Sequence, residues 1–492
     1  MKIFYKNGKG YAAFIFLLLI FSTFVLIGSC KKFVEIPPPN TQLVTTSVFA
    51  NNSTATSAQI AIYAIMWGND ESYNMAANMG LYADELQNYS TVSNQIQLYT
   101  NSLPATAGLG PWDNYYQYIF YANSVISGLQ TTSGCSVAVK KQLTGEALFI
   151  RAFCHFYLAN TYGDVPIVLT TNPNINSKIA RSSRMQVFQQ VIADLQSAQT
   201  LLNSNYVDGS DTVTTTERVR PNKAAALALM ARAYLYLGDY SKTSSYYVKA
   251  DSAASAVITN SEYNLSPLSG VFLENSTEAI WQWQTPQPAS VDTPDGDFFI
   301  LEGAPSTDEY NSTTISTQLL SSFEPGDQRL SNWIGSITEG GTTYYYPYKY
   351  KVGNAYENQE YTMVLRLGEQ YLIRAEGKAE LGDPTAVNDL NAIRNRAGLP
   401  NYTGAMDKAS LLTAILHERQ VELFAEWGHR WFDLERAVSS GLTVNAATVL
   451  GNPGNVCRYK GGTWSSNNYQ LLFPVPQGDI NTDPNLKQNS GY

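Results

Sequence analysis

Hydrophobic positions recur at three- and four-residue spacing through most of the chain, and this period predicts helices. Residues 53–66 and 111–130 read as amphipathic helices, the second opening with Pro111-Trp112. A longer pattern over 136–160 runs into Tyr162-Gly163-Asp164-Val165-Pro166, where Gly and Pro supply the stop. Another helix covers 184–203. Pro221 opens the next one, at the position where its missing N–H costs least. From Ala224 to Leu237 that helix is apolar almost all round, Arg232 excepted, so neighbours must bury it on several sides. It is expected to end at Gly238-Asp239-Tyr240, with a further helix to about Ile258. Residues 364–381 repeat the design and end at Leu381-Gly382-Asp383-Pro384, before a helix to about Arg396. Helix, Gly-Asp turn, helix is the tetratricopeptide-like unit, but the irregular spacing is not that of a consensus array. The expected class is therefore mainly α, a superhelix of tetratricopeptide-like helical pairs.

Between about 261 and 362 the helical period fades, and Pro, Gly, Thr, Gln and aromatics take over. A long irregular stretch inside a large chain is functional or disordered, and its aromatic content argues against disorder. It is read as a loop-rich insertion carrying minor β structure. Trp281 and Trp283 alternate on what reads as a strand, so both side chains face the same side.

The N-terminus bears on compartment. Residues 1–29 read as an export signal, with Lys2, Lys6 and Lys9 ahead of an apolar run from Tyr11 to Ile27. An uncleaved membrane anchor is the alternative. Leu26-Ile27-Gly28-Ser29-Cys30 resembles a bacterial lipobox, which implies cleavage before Cys30 and lipidation of its thiol. Two or more acyl chains anchor a protein stably. Lys31 follows, where an Asp would signal retention at the inner membrane. Residues 30–50 contain Pro37-Pro38-Pro39 and read as a stiff tether. The body divides into a helical region, 51–260, and a C-terminal region, 261–492. Cys135, Cys154 and Cys457 form no CxxC pair. They leave two options, one disulfide with one free thiol or three buried thiols.

Composition narrows the chemistry. Charged residues make up only 15%, against the ~25% usual in soluble proteins, while 33 tyrosines are present. That suits a surface for uncharged polar ligands, or a Tyr-rich core. A net charge of −9 with no basic run beyond Lys31-Lys32 argues against nucleic acid.

Glu418, Glu422 and Glu426 lie four apart on one expected helical face. Paired carboxylates can hydrolyse glycosides. The favoured reading is structural, because like charges at this spacing need arginines nearby, with Arg394, Arg396, Arg419 and Arg430 as candidates. His417-Glu418 begins like a zinc-protease motif, but Val421 stands where the second histidine belongs. With three histidines in all, and neither a Walker lysine motif nor a GxSxG elbow, no enzyme, metal or cofactor is expected. Asp292, Asp295 and Asp297 read as a solvated turn, with Ca²⁺ binding as the alternative.

Aromatics beside amides and carboxylates fit sugars, whose C–H faces stack on rings while hydroxyls bond polar groups. The expected ligand contacts are Trp67, Asn69, Tyr73, Asn74, Asp84, Tyr89, Trp281, Trp283 and Tyr310, with core packing the alternative for each aromatic. Trp112, Trp427 and Trp431 sit in helical patterns and read as core.

Several motifs in order carry a resemblance. They are Arg151-Ala152-Phe153 through Pro166, Arg220-Pro221 through Tyr240, Arg366-Leu367-Gly368-Glu369-Gln370-Tyr371-Leu372-Ile373-Arg374-Ala375-Glu376, Glu418-Arg419 through Leu434, Phe473-Pro474-Val475-Pro476, and Asn485 to Tyr492. Together they resemble the SusD/RagB family, except that Ser490 stands where the family usually has Pro. The resemblance implies an outer-membrane, outward-facing lipoprotein that binds nutrient oligomers, most often glycans and sometimes peptides. It also implies a partner, a SusC-like TonB-dependent barrel, over which such a protein sits as a hinged lid. A surface glycosidase and a tetratricopeptide protein adaptor are the competing readings.

Overall fold

Helix boundaries follow side-chain caps more than hydrophobic period. This computed structural model describes residues 45–440 and 452–492; the expected signal segment, Cys30 and the tether up to residue 44 lie outside the described residues. The long helices are α1 (Asn52–Gly68), α2 (Glu71–Tyr82), α3 (Trp112–Thr131), α4 (Val137–Tyr162), α5 (Arg184–Leu201), α6 (Lys223–Ser241), α7 (Ser244–Ile258), α8 (Leu367–Glu380), α9 (Ala386–Arg396), α10 (Lys408–Leu423) and α11 (His429–Ser440). Asn51 and Ser136 cap α1 and α4, and Ser183 with Gln186 forms a reciprocal capping box on α5. Asn222, not Pro221, starts α6: its side chain accepts from Ala225 N at 3.0 Å. From α3 to α8 each helix packs on the next, and α8 also meets α9 and α10. This is the expected stack of helical pairs.

One expected turn is not a turn. α6 continues through Gly238 and Asp239 to Ser241, and the left-handed residue after it is Lys242 (φ 54°). Gly238 instead permits close approach of α7: a Cβ there would meet the Tyr247 ring at 2.6 Å. At the second site the reading holds, since α8 stops at Glu380 and Gly382 takes φ 75°.

The described strands form three two-stranded antiparallel sheets. β1 (Leu86–Asn88) pairs with β3 (Thr313–Ile315), placing Leu86 opposite Ile315. β2 (Ala279–Trp283) pairs with β6 (Thr362–Arg366), and β4 (Ile334–Glu339) forms a hairpin with β5 (Thr342–Pro347).

β2 supplies the centre of the core. Trp281 and Trp283 do share a side, with ring centroids 5.6 Å apart, and that side faces inward against Phe149, Phe153 and Trp427. Trp112, Trp427 and Trp431 are buried, as expected. Cys135, Cys154 and Cys457 are three separate buried thiols.

A buried ion-pair network ties the C-terminal elements together. Arg366 bonds Glu278 at 2.9 Å, Glu422 at 2.6 Å and Glu426 at 2.8 Å. Arg396 pairs with Glu422, and Arg394 with Glu418 at 3.5 Å, as expected. The other two arginines go elsewhere: Arg419 to Asp433 and Arg430 to Asp84. Glu426 also leaves the expected helical face, because α10 ends at Leu423 and Ala425 turns left-handed (φ 51°). Burial alone would raise the Glu422 carboxyl, but Arg396, Arg366, Arg329 and Lys349 outweigh it and hold it below the ordinary range.

Candidate functional site

A sharp corner joins α1 to α2. Asn69 caps α1 through its N–H to Ile65 O, and Asp70 adopts φ 53° before α2 begins at Glu71. Asn74 Nδ2 donates to Asn69 O at 2.9 Å, closing the corner. Asn69 Nδ2 donates to Tyr118 Oη at 2.7 Å, and Tyr118 donates to Glu71 Oε1 at 2.8 Å. Asn114 Nδ2 reaches the same Glu71 oxygen at 2.7 Å. Burial raises Glu71 to about 7, with Asp70 adding to the rise and the Tyr118 and Asn114 hydrogen bonds opposing it.

The loop from 290 to 312 packs against this corner. Asp292 is fully buried and accepts four backbone N–H groups, from Glu357 to Glu360, at 2.7–3.2 Å. Asp295 is buried too and accepts from Ser72 Oγ at 3.1 Å. The expected solvated turn is thus corrected: Asp292 clamps a neighbouring loop, Asp295 lies under α2, and of the three only Asp297 reaches the surface. Pro294–Phe299 forms a short helix, capped by Thr293 Oγ1. Gly296 is required there, because a Cβ would lie 2.1 Å from Val352 O.

Asn311 fixes what the loop displays. In a left-handed conformation (φ 52°), its Nδ2 faces the carbonyls of Asp297, Phe298 and Ile300 at 3.0–3.2 Å. The preceding residue, Tyr310, is thereby laid over Phe298, with centroids 4.2 Å apart and ring planes 22° apart. Tyr310 is 41% exposed and Phe298 half-buried, so together they form an open aromatic platform. Tyr73 supports it from below, 4.8 Å from Phe298 and 6.0 Å from Tyr310.

Carboxylates surround the platform. Burial and then Asp297 raise Asp70 to about 6, while burial and then Glu302 raise Asp297. Burial, Glu309 and Asp70 raise the Tyr310 hydroxyl. Beyond Tyr310 the chain turns back: Tyr89 N donates to Ser312 O at 2.9 Å, and Thr91 N to Thr307 O. This places exposed Tyr89 against Tyr344 of β5, at 5.7 Å and 80°. Tyr345 adds an exposed ring on the same hairpin.

The expected contacts therefore separate. Asn69 and Asn74 close the corner, with their amides on Tyr118 Oη and Asn69 O, while Tyr310 forms the platform and Tyr89 lies on the adjoining loop. Trp67 is half-buried at the end of α1, with its Nε1 lacking a hydrogen-bond partner among the described residues. Trp281 and Trp283, 0% and 1% exposed, offer no face to a ligand, because β2 runs through the core. Tyr73, 4% exposed, is a support and not a contact surface. Asp84 is held by both Arg430 nitrogens Nε and Nη2 at 2.6 Å. Phe298, Glu302 and Glu309 escape sequence reasoning; the available signal is a Phe-Phe pair among carboxylates with no nearby Lys or Arg.

A separate open cleft of about 430 Å³ lies on the other side of α3, lined by Trp112, Tyr116, Phe120, Val168 and Leu486. Asn114 and Tyr118 face the α2 corner, while positions 112, 116 and 120 follow the opposite stripe. No helix among the described residues is long and apolar enough to cross a membrane.

The fold is thus a mainly helical stack of helical pairs that carries an aromatic, acid-rimmed loop face. Residues 163–492 match the SusD family, and residues 32–235 match a family described as starch-binding and associating with the outer membrane. The chain belongs to the SusD family. A SusD-like protein of Formosa agariphila, P25, is 23% identical over 97% of this chain and 98% of its own. A SusD homolog from Bacteroides thetaiotaomicron superposes with TM-score 0.75 at 20% identity, covering 90% of this chain and 97% of the other. The surface glycan-binding protein A from Bacteroides uniformis gives 0.71 at 21% identity, covering 89% and 99%.

Proposed function

We propose that this protein is a surface lipoprotein, anchored through Cys30, that binds oligosaccharides on the Phe298–Tyr310 platform without cleaving them. In this reading it delivers them to a SusC-like TonB-dependent barrel in the outer membrane, over which it acts as a lid. The stacked, open Phe298–Tyr310 pair is the observation that carries the binding reading. A sugar ring lays its C–H face on such a surface, and Asp70 and Asp297, of which Asp297 acts on Asp70 and Asp70 acts on Tyr310, are the carboxylates beside it that can accept its hydroxyls. The surface glycan-binding protein A of Bacteroides uniformis, which shares the fold, supports the choice of glycans.

The test is calorimetric titration of the full-length lipoprotein in detergent against an oligosaccharide and peptide panel, with the mixtures checked for cleavage. Saturable glycan binding that Tyr310→Ala abolishes, without products, is the expected result. Turnover, or binding indifferent to Tyr310→Ala, would overturn it. Co-purification with a barrel partner tests the lid role separately.

A further inference from the structure

The platform is built from two stretches with no positive charge. Residues 33–139 and 250–328 contain no Lys, Arg or His. The first supplies Asn69, Asp70 and Tyr89; the second supplies Asp295, Asp297, Phe298, Glu302, Glu309 and Tyr310. Each charged neighbour that perturbs Asp70, Asp297 or Tyr310 is an acid, which raises its proton affinity, and no cation contributes to any of the three. Asp295, 3% exposed beneath them, keeps Oδ2 without a hydrogen-bond partner among the described residues. Three cations from other parts of the chain are already engaged: Arg430 holds Asp84, Lys349 holds Glu426, and Lys351 Nζ bonds the carbonyls of Asn332 and Tyr348.

Resting on the reading of this face as the glycan site, we infer that it takes glycans free of carboxylate and sulfate groups, and holds an amine-bearing glycan in preference to its neutral counterpart. Recognition of an acidic sugar is strongest where an Arg or Lys neutralises it, as in bidentate carboxylate pairing. Among the described residues, no such cation acts on Asp70, Asp297 or Tyr310, and an acidic glycan would bring further negative charge into a field of carboxylates. A neutral sugar pays no such cost, because carboxylates accept hydroxyl hydrogen bonds. An ammonium at C2 additionally gains Coulomb attraction. One ammonium near one carboxylate in water gains about fivefold in affinity, and more where several acids converge.

The test compares glucose, glucosamine and glucuronate oligomers of equal length, with a Lys-rich peptide, on the full-length lipoprotein at low and physiological salt. The glucosamine oligomer is expected to bind at least about fivefold more tightly than the glucose oligomer, the difference shrinking as salt screens it. The glucuronate oligomer is expected not to bind. In a variant carrying Glu302→Gln and Glu309→Gln, neither of which is assigned a sugar hydroxyl, neutral binding should persist while the amine preference falls. Glucuronate binding equal to or above that of glucose would overturn the inference while leaving the site intact, provided Tyr310→Ala abolishes it. Preference for the Lys-rich peptide over every glycan would also overturn it. Glycan binding that survives Tyr310→Ala would instead remove the site reading on which the inference rests.

Discussion

Tyr310 lies over Phe298 at 4.2 Å because the next residue, Asn311, spends its amide on the carbonyls that precede the turn. The display of two aromatic rings thus depends on one side chain that touches neither solvent-facing ring surface.

Replacing Asn311 separates the two roles. Asn311→Gly keeps the left-handed backbone but loses the amide, and should cost about 1–2 kcal/mol of stability. Asn311→Ala loses both and should cost more. In both, glycan affinity should fall more steeply than the melting temperature, because the platform loosens while the helical stack stands. Paired thermal melts and titrations check this.

Tyr310→Ala and Trp283→Ala should behave oppositely. The first removes an exposed ring of the platform and should abolish measurable glycan binding with little change in stability. The second empties part of a fully buried cluster and should destabilise by about 3–5 kcal/mol, while the folded fraction binds normally. Denaturation midpoints beside binding isotherms distinguish them.

Arg366→Met should be among the most damaging single changes. Arg366 compensates Glu278, Glu422 and Glu426 at once in a buried setting. Removing one partner of a buried ion pair typically costs about 3–5 kcal/mol. Arg366→Lys should rescue only partly, since one ammonium cannot reproduce the fork. Chemical denaturation reads both.

Glu85 makes stability depend on pH. Burial raises its carboxyl to about 8; Asp84 adds to the rise, and the Ala425 N–H, Arg430 and Lys349 oppose it. Its native pKa is above the unfolded value, so its contribution is full below about pH 4.5 and is lost as pH rises through about 8. Glu85→Gln should therefore match wild type near pH 5 and be more stable than wild type at pH 9, by about 1–3 kcal/mol. Unfolding measured at both pH values decides it. A gap equal at both would sink the assignment.

Much of the helical stack is legible in the sequence, because it rests on local physics. Hydrophobic period, Gly163 and Gly382 as stops, and the apolar belt from Ala224 to Leu237 each act within a few residues of themselves. The network of Glu418 and Glu422 was half legible: their need for arginines follows from charge, and Arg394 and Arg396 meet it. Which distant cation answers Glu426 does not follow, because Arg366 and Lys349 arrive from elements far along the chain.

The site divides the same way. The sequence by itself determined that aromatics, amides and acids crowd two stretches empty of positive charge, and that Trp281 and Trp283 share a side. Only the tertiary structure decided that this side faces inward, and that Tyr73 supports the platform from below while Tyr310 is displayed. Alternation along a strand sets which residues point together, whereas burial depends on what packs against them. Phe149, Phe153 and Trp427 come to β2 from other elements, and Phe298 comes to Tyr310 through a turn that Asn311 closes.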